Sequence, residues 1–176
     1  MAKKEALREL QTRLAGRLQS ARSEGVSAAW LAVRLGRNNF LLPLTQSGEI
    51  FPPAAMAAVP YALPWFLGVV NLRGGLYGVV DLDRFISGVA AAGRSDQAWV
   101  QARLVTFNVE LDVNCALVID ALIGLRRQDA FVQVAPAPVG SPDFFGQMLV
   151  DAQGISWQEI NLRALSQSAE FLSICA

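Results

Sequence analysis

The chain has 176 residues, of which 53% are apolar and 17% charged, with 15 basic against 15 acidic side chains. That composition excludes a disordered chain, which lacks the apolar surface to offset the chain entropy lost on folding, and the even charge balance excludes a global field favouring nucleic acid or an anionic membrane. Histidine is absent, which removes Ser-His-Asp and Cys-His nucleophile systems, HExxH metal sites and every His-ligated zinc or haem.

Taken in chain order, the first segment runs from Lys3 to about Ser23. Leu7, Leu10, Leu14, Leu18 and Ala21 recur at helical spacing in one narrow stripe, Glu9 and Arg13 form an i,i+4 pair, and Gly25 is placed to end the helix. This predicts a helical extension over residues 1–27, packed on its own domain or serving a partner or a second copy. The segment has no apolar signal-peptide core. The expected compartment is the cytoplasm.

From Ala28 the periodicity becomes that of strands. Trp30 to Leu35 and Phe40 to Leu44 flank the turn cluster Gly36-Arg37-Asn38-Asn39 and read as a hairpin. Residues 50–72 are long enough to span a bilayer. Pro52, Pro53, Pro60 and Pro64 fall inside that window, and each removes a backbone donor that a lipid-exposed helix needs. The stretch is therefore expected in a water-soluble domain, without membrane insertion. Phe66 to Leu72, the turn Arg73-Gly74-Gly75 and Leu76 to Leu82 form a second hairpin, with paired glycines supplying positive φ. Residues 87–98 read as a small-residue loop.

The second half repeats the plan. Arg103 to Val109 and Cys115 to Ile119 pair across a turn near Asp112, a loop carries Pro136, Pro138 and Pro142, and Gly146 to Val150 returns as Ile155 to Leu162. Both halves close on a Gly-x6-[Asp/Asn]-Leu phrase, Gly74 to Asp81-Leu82 and Gly154 to Asn161-Leu162. Two halves of several short strands predict an all-β chain of two small barrels, about 28–95 and 96–168, with a final helix over 162–171 and a tail over 169–176.

Chemistry-bearing constellations are few. Asp81/Asp83 and Glu110/Asp112 are i,i+2 acidic pairs, open to cation or acid-base work but lacking a third oxygen ligand in sequence. The Gly74-Gly75 turn opens no helix and precedes no GK[ST], so it cradles no phosphate. Cys115 and Cys175 match no metal spacing or CxxC motif and read as incidental thiols. No cofactor and no metal are expected. Arg73 stands out as the sole charge between Glu49 and Asp81, set at a turn between two apolar strands. It must reach solvent or pair with a carboxylate, and arginine is enriched in interface cores.

These residues resemble a known signature. Val59-Pro60-Tyr61-Ala62-Leu63-Pro64-Trp65-Phe66-Leu67-Gly68-Val69-Val70-Asn71-Leu72-Arg73-Gly74, followed by Val79-Val80-Asp81-Leu82, is similar to the proline-flanked loop, Asn-x-Arg-Gly turn and Asp-Leu close of the CheW family of chemotaxis coupling proteins. Val118 to Leu125 resembles the family's Val-Asp-x-Val segment, and Ile160-Asn161-Leu162 its closing Asn-Leu. Gly78 stands where the family commonly has proline, and Gly48 where a larger apolar residue is usual. The resemblance covers residues 28 to about 168. It implies two five-stranded SH3-like barrels about a pseudo-twofold with a hydrophobic groove between them. It also implies a non-enzymatic adaptor bridging the cytoplasmic tip of a methyl-accepting chemoreceptor and the regulatory domain of a CheA-type histidine kinase at membrane arrays. The N-terminal extension and the apolar 50–72 stretch look more like PilI-type members serving twitching motility than flagellar ones. Glu49, Asn71, Arg73, Gly74 and Asp120 are the protein-binding residues the resemblance implies. The rivals are a CheW-like regulatory module acting on a kinase without a receptor, and an enzyme built on an acidic pair.

Overall fold

The computed structural model describes residues 29–88 and 94–175; the segment expected to form the N-terminal helix lies outside the described residues. Eleven strands follow in order: β1 Ala29–Leu35, β2 Asn38–Pro43, β3 Ser47–Phe51, β4 Phe66–Leu72, β5 Gly75–Asp81, β6 Arg103–Phe107, β7 Cys115–Ile119, β8 Ala121–Arg127, β9 Phe131–Ala135, β10 Phe145–Asp151 and β11 Ser156–Ile160. Among the described residues, two short helices lie between β5 and β6, α1 Leu82–Ser87 and α2 Asp96–Gln101, and two follow β11, α3 Leu162–Gln167 and α4 Ala169–Leu172. The chain is mostly β.

Two mixed sheets form, one of six strands in the order β8-β1-β2-β11-β10-β9 and one of five in the order β3-β6-β7-β5-β4. The expectation of two five-stranded barrels is corrected to six and five, because β9 adds an edge beside β10. Matching β3, β6, β7, β5 and β4 with β8, β1, β2, β11 and β10 superposes the two orders, so the repeat read in the sequence is a real pseudo-symmetry. Each half lends its first hairpin to the other half's sheet. The lent hairpins join by parallel pairing, β2 with β11 and β5 with β7. A cut between residues 95 and 96 therefore severs both sheets.

The lent hairpins bury both faces, which explains their nearly continuous apolar sequences. Trp30, Ala32 and Leu41 point into one satellite core with Phe131, Leu149 and Trp157. Leu104, Ala116 and Val118 point into the other, with Val70, Leu72 and Val79. The alternate residues Leu31, Val33, Phe40, Leu42, Val105, Leu117 and Ile119 meet in a central core between the sheets. Strand alternation alone assigns each side chain to its layer.

The helices follow from their caps. The two Asp/Asn-Leu phrases become equivalent helix starts: Asp81 and Asn161 have φ/ψ of −77°/97° and −77°/100°, and accept from the amides of Arg84 and Ala164. The expected loop over 87–98 ends early, since Ser95 Oγ accepts from Ala98 N at 3.2 Å and starts α2. The helix expected over 162–171 is two helices, broken at Ser168, which caps the second. Residues beyond 168 are no loose tail. Phe171 is buried in the central core, and the Leu63 amide donates to Ile174 O at 2.8 Å.

Candidate functional site

The β4–β5 hairpin turns on two residues, Arg73 and Gly74, with φ of 48° and 87°. Positive φ at both positions matches the right-handed twist of the strands, and the Gly74 amide donates to Asn71 Oδ1 at 3.0 Å, locking the turn. Asn71 and Gly74 thus build the platform that aims Arg73. Its side chain is 74% exposed, and Nη1 lies 2.6 Å from Glu49 Oε2, itself 58% exposed. The guanidinium also sits 5.5 Å above the Phe51 ring.

Glu49 and Phe51 belong to β3 and Arg73 follows β4, the two edges of the five-stranded sheet. The ion pair therefore closes the sheet on itself across a groove of about 360 Å³ lined by Gly48, Glu49, Phe51, Arg73, Tyr77 and Val109. Gly48 is forced at this position. A Cβ there would stand 2.4 Å from Thr106 Oγ1 and 2.6 Å from the Phe107 carbonyl. The close approach lets Glu49 N donate to Thr106 Oγ1 at 2.8 Å, and Thr106 Oγ1 donate to Glu49 O at 3.2 Å.

The pseudo-symmetric β10–β11 turn is chemically different. Asp151 accepts from Trp157 Nε1 at 3.0 Å, Ile155 N at 2.9 Å and Gln153 N at 3.0 Å. The Trp157 hydrogen bond, against the opposing effect of burial and with help from the two amides, holds its carboxyl below the usual range. This turn spends its charge inward, and only the β4–β5 turn of the pair presents an arginine.

Asp120 lies elsewhere. It is the single residue between β7 of one sheet and β8 of the other. Its Oδ2 accepts from the Gly36 amide at 2.6 Å and its Oδ1 from Arg94 Nε at 2.5 Å. The same guanidinium makes a bidentate pair with Asp81, which also lies 3.4 Å from Arg84 Nε. Burial works against the Arg94 charge, but the hydrogen bonds and charges of Asp81 and Asp120 more than reverse this and raise its pKa. Of the expected contact residues, then, the structure brings together Glu49, Asn71, Arg73 and Gly74, and sets Asp120 apart in an internal ion network. Asp81 is occupied as helix cap and ion-pair partner. Among the described residues no group of three or more His, Cys, Asp or Glu is placed to hold a metal. Burial pushes the Cys115 thiol well up, so it stays protonated.

A second surface was not singled out in the sequence. On β8, Leu122 lies opposite Val33 and Leu125 opposite Leu31. Directly paired residues project from the same face, and Leu31 and Val33 belong to the central core. Leu122 and Leu125, 41% and 65% exposed, therefore carry that apolar face past the sheet edge into solvent as a shelf. Sequence alternation would have set these two leucines, three residues apart, on opposite faces; the register shift opposite Ala32 and Val33 brings both to one face.

The comparisons agree with this geometry. Residues 29–170 match the family described as CheW-like domain. The chain is 26% identical over 165 residues to Protein PilI of Pseudomonas aeruginosa, covering 92% of this chain and 88% of that protein. The fold is similar to the crystal structure of the scaffolding protein TtCheW from Thermoanaerobacter tengcongensis, with a TM-score of 0.64 at 18% identity over 77% of this chain and 85% of that one. With a match spanning both sheets, the Arg73 turn and the helix starts at Asp81 and Asn161, the chain belongs to the CheW-like domain family.

Proposed function

We propose that the protein is a non-enzymatic cytoplasmic adaptor that couples the tip of a methyl-accepting chemoreceptor to the regulatory domain of a CheA-type histidine kinase. The likeness to PilI supports an output to type IV pilus motility. The observation that carries the reading is Arg73, an exposed guanidinium aimed by a rigid two-residue turn and joined to Glu49 over a groove. Such a pair costs little to exchange for a partner's charges, because both members already meet water. We assign this turn to the kinase regulatory domain, with Glu49 and Arg73 as polar contacts. The apolar β8 shelf, which offers area rather than charge, takes the receptor tip.

Reversing the charge in Arg73→Glu tests the assignment. Thermal unfolding is expected to stay within about 0.5 kcal/mol of the unaltered protein, as for other exposed substitutions. Affinity for the kinase regulatory domain is expected to fall roughly thirtyfold, or about 2 kcal/mol. A variant that folds and binds the kinase domain normally sinks the assignment.

A further inference from the structure

Arg94 belongs to neither docking surface, yet its network sits where the two sheets meet. Asp81 ends β5 of the five-stranded sheet. Gly36 lies in the β1–β2 turn of the six-stranded sheet. Arg94 joins them through Asp120: guanidinium to Asp81 on one side, guanidinium to Asp120 on the other, and Asp120 to the Gly36 amide. Its side chain is only 11% exposed, and the Trp99 ring covers it at 5.6 Å. Asp83 packs beside the same turn, since a Cβ on Gly36 would lie 3.3 Å from its Oδ1.

The pseudo-symmetric end of the sheet junction is held differently. There Gln46 Oε1 accepts from the amides of Leu162 and Arg163 at 2.7 and 3.2 Å. These are bonds at a helix start that do not depend on a third side chain. Loosening the charged end alone leaves the Gln46 end as a pivot. The strand that follows directly from the charged end is β8, an edge strand held to β1 alone, which begins one residue after Asp120 and carries Leu122 and Leu125.

We propose that Arg94 is a positioning residue: its span between Asp81 and Asp120 fixes the β8 shelf relative to the five-stranded sheet, and so sets the geometry of receptor docking relative to the Arg73 turn. This rests on the reading above that the shelf takes the receptor tip. A guanidinium suits the task because its planar fork serves two carboxylates at once, whereas an ammonium is a single point charge.

The test compares the full chain with Arg94→Gln and Arg94→Lys, the lysine variant keeping the charge should the glutamine variant fail to fold. In hydrogen exchange, the amides of Gly36 and of Ala121 to Arg127 are expected to exchange roughly tenfold faster or more, while those of β7 keep their protection. Affinity for a receptor-tip fragment is expected to fall roughly tenfold, and affinity for the kinase regulatory domain to stay within about twofold. Unchanged exchange at Gly36 and β8 overturns the proposal. So does faster exchange with unchanged receptor affinity. If protection is lost throughout and both affinities fall together, Arg94 is a general stabiliser and not a positioning residue. A receptor fragment that fails to bind even the unaltered protein refutes the receptor reading instead, and the exchange measurement still decides whether Arg94 holds the shelf.

Discussion

Asp83 illustrates how one side chain can work against its own fold. Partial burial, then the charges of Asp120 and Asp81, raise its pKa above the ordinary 3.8, and Arg94 offsets only part of this. A carboxyl whose folded pKa is raised weakens the fold when ionised. The penalty is absent below the unfolded value, grows as pH rises between the unfolded and the folded pKa, and is complete above the folded pKa. Asp83→Asn is therefore expected to raise stability modestly at about pH 7, by no more than about 0.3 kcal/mol, because the side chain is largely open to solvent screening. Urea unfolding of both proteins should show that gain disappear near pH 3, where both side chains are neutral, and a gain that persists there contradicts the electrostatic cause. Arg73 shows how far a single residue could be read from sequence. Its isolation among apolar residues, at a glycine turn, already demanded solvent or a carboxylate, and the structure supplies Glu49. Asp120 could not be placed this way, since its partners Gly36 and Arg94 lie 84 and 26 residues away in sequence.

Among elements, the C-terminal helices bind the molecule together more than their length suggests. Phe171 of α4 stacks on Trp65 and Phe107 with ring centroids 6.1 and 5.8 Å away, and meets Phe85 edge-on at 5.3 Å. Ala62 and Cys175 add an antiparallel bridge between the proline-rich loop and the C-terminal segment. Phe171→Ala removes the ring on which three other aromatics converge and is expected to cost about 3–5 kcal/mol. Chemical denaturation measures this directly, and a loss below about 1 kcal/mol, the scale of an exposed substitution, would mean that α4 contributes no core. The central hairpins were legible because both their faces are buried and their apolar runs are long. The edge strands β3, β8 and β9 were not, because each has five to seven residues with mostly exposed side chains. The break at Ser168 was also hidden, since a helix cap and a helix-interior serine look alike until the backbone direction is known.

At the scale of the whole molecule, Ser23-Glu24-Gly25 separates the helical stripe of the first segment from the strand periodicity that follows it, and among the described residues the three apolar cores run from Trp30 to Phe171. Deleting residues 1–24 is accordingly expected to leave a cooperative fold, with a midpoint within about 4 °C of the full chain, the shift that about 1 kcal/mol produces in a domain of this size. Aggregation or loss of the transition in calorimetry would show that the extension completes a core. The sequence by itself determined the alternating strands, the glycine turn at Arg73, the helix start at Leu162 and the lack of histidine chemistry, because each of these depends on neighbours within a few residues. Only the tertiary structure decided that each half lends its first hairpin to the other's sheet, that Leu122 and Leu125 overhang the core, that Asp81 starts a helix, and that Asp120 meets Arg94. Periodicity states which face of a strand is buried but carries no label for the strand it will pair with, and that choice is made by packing the whole chain at once.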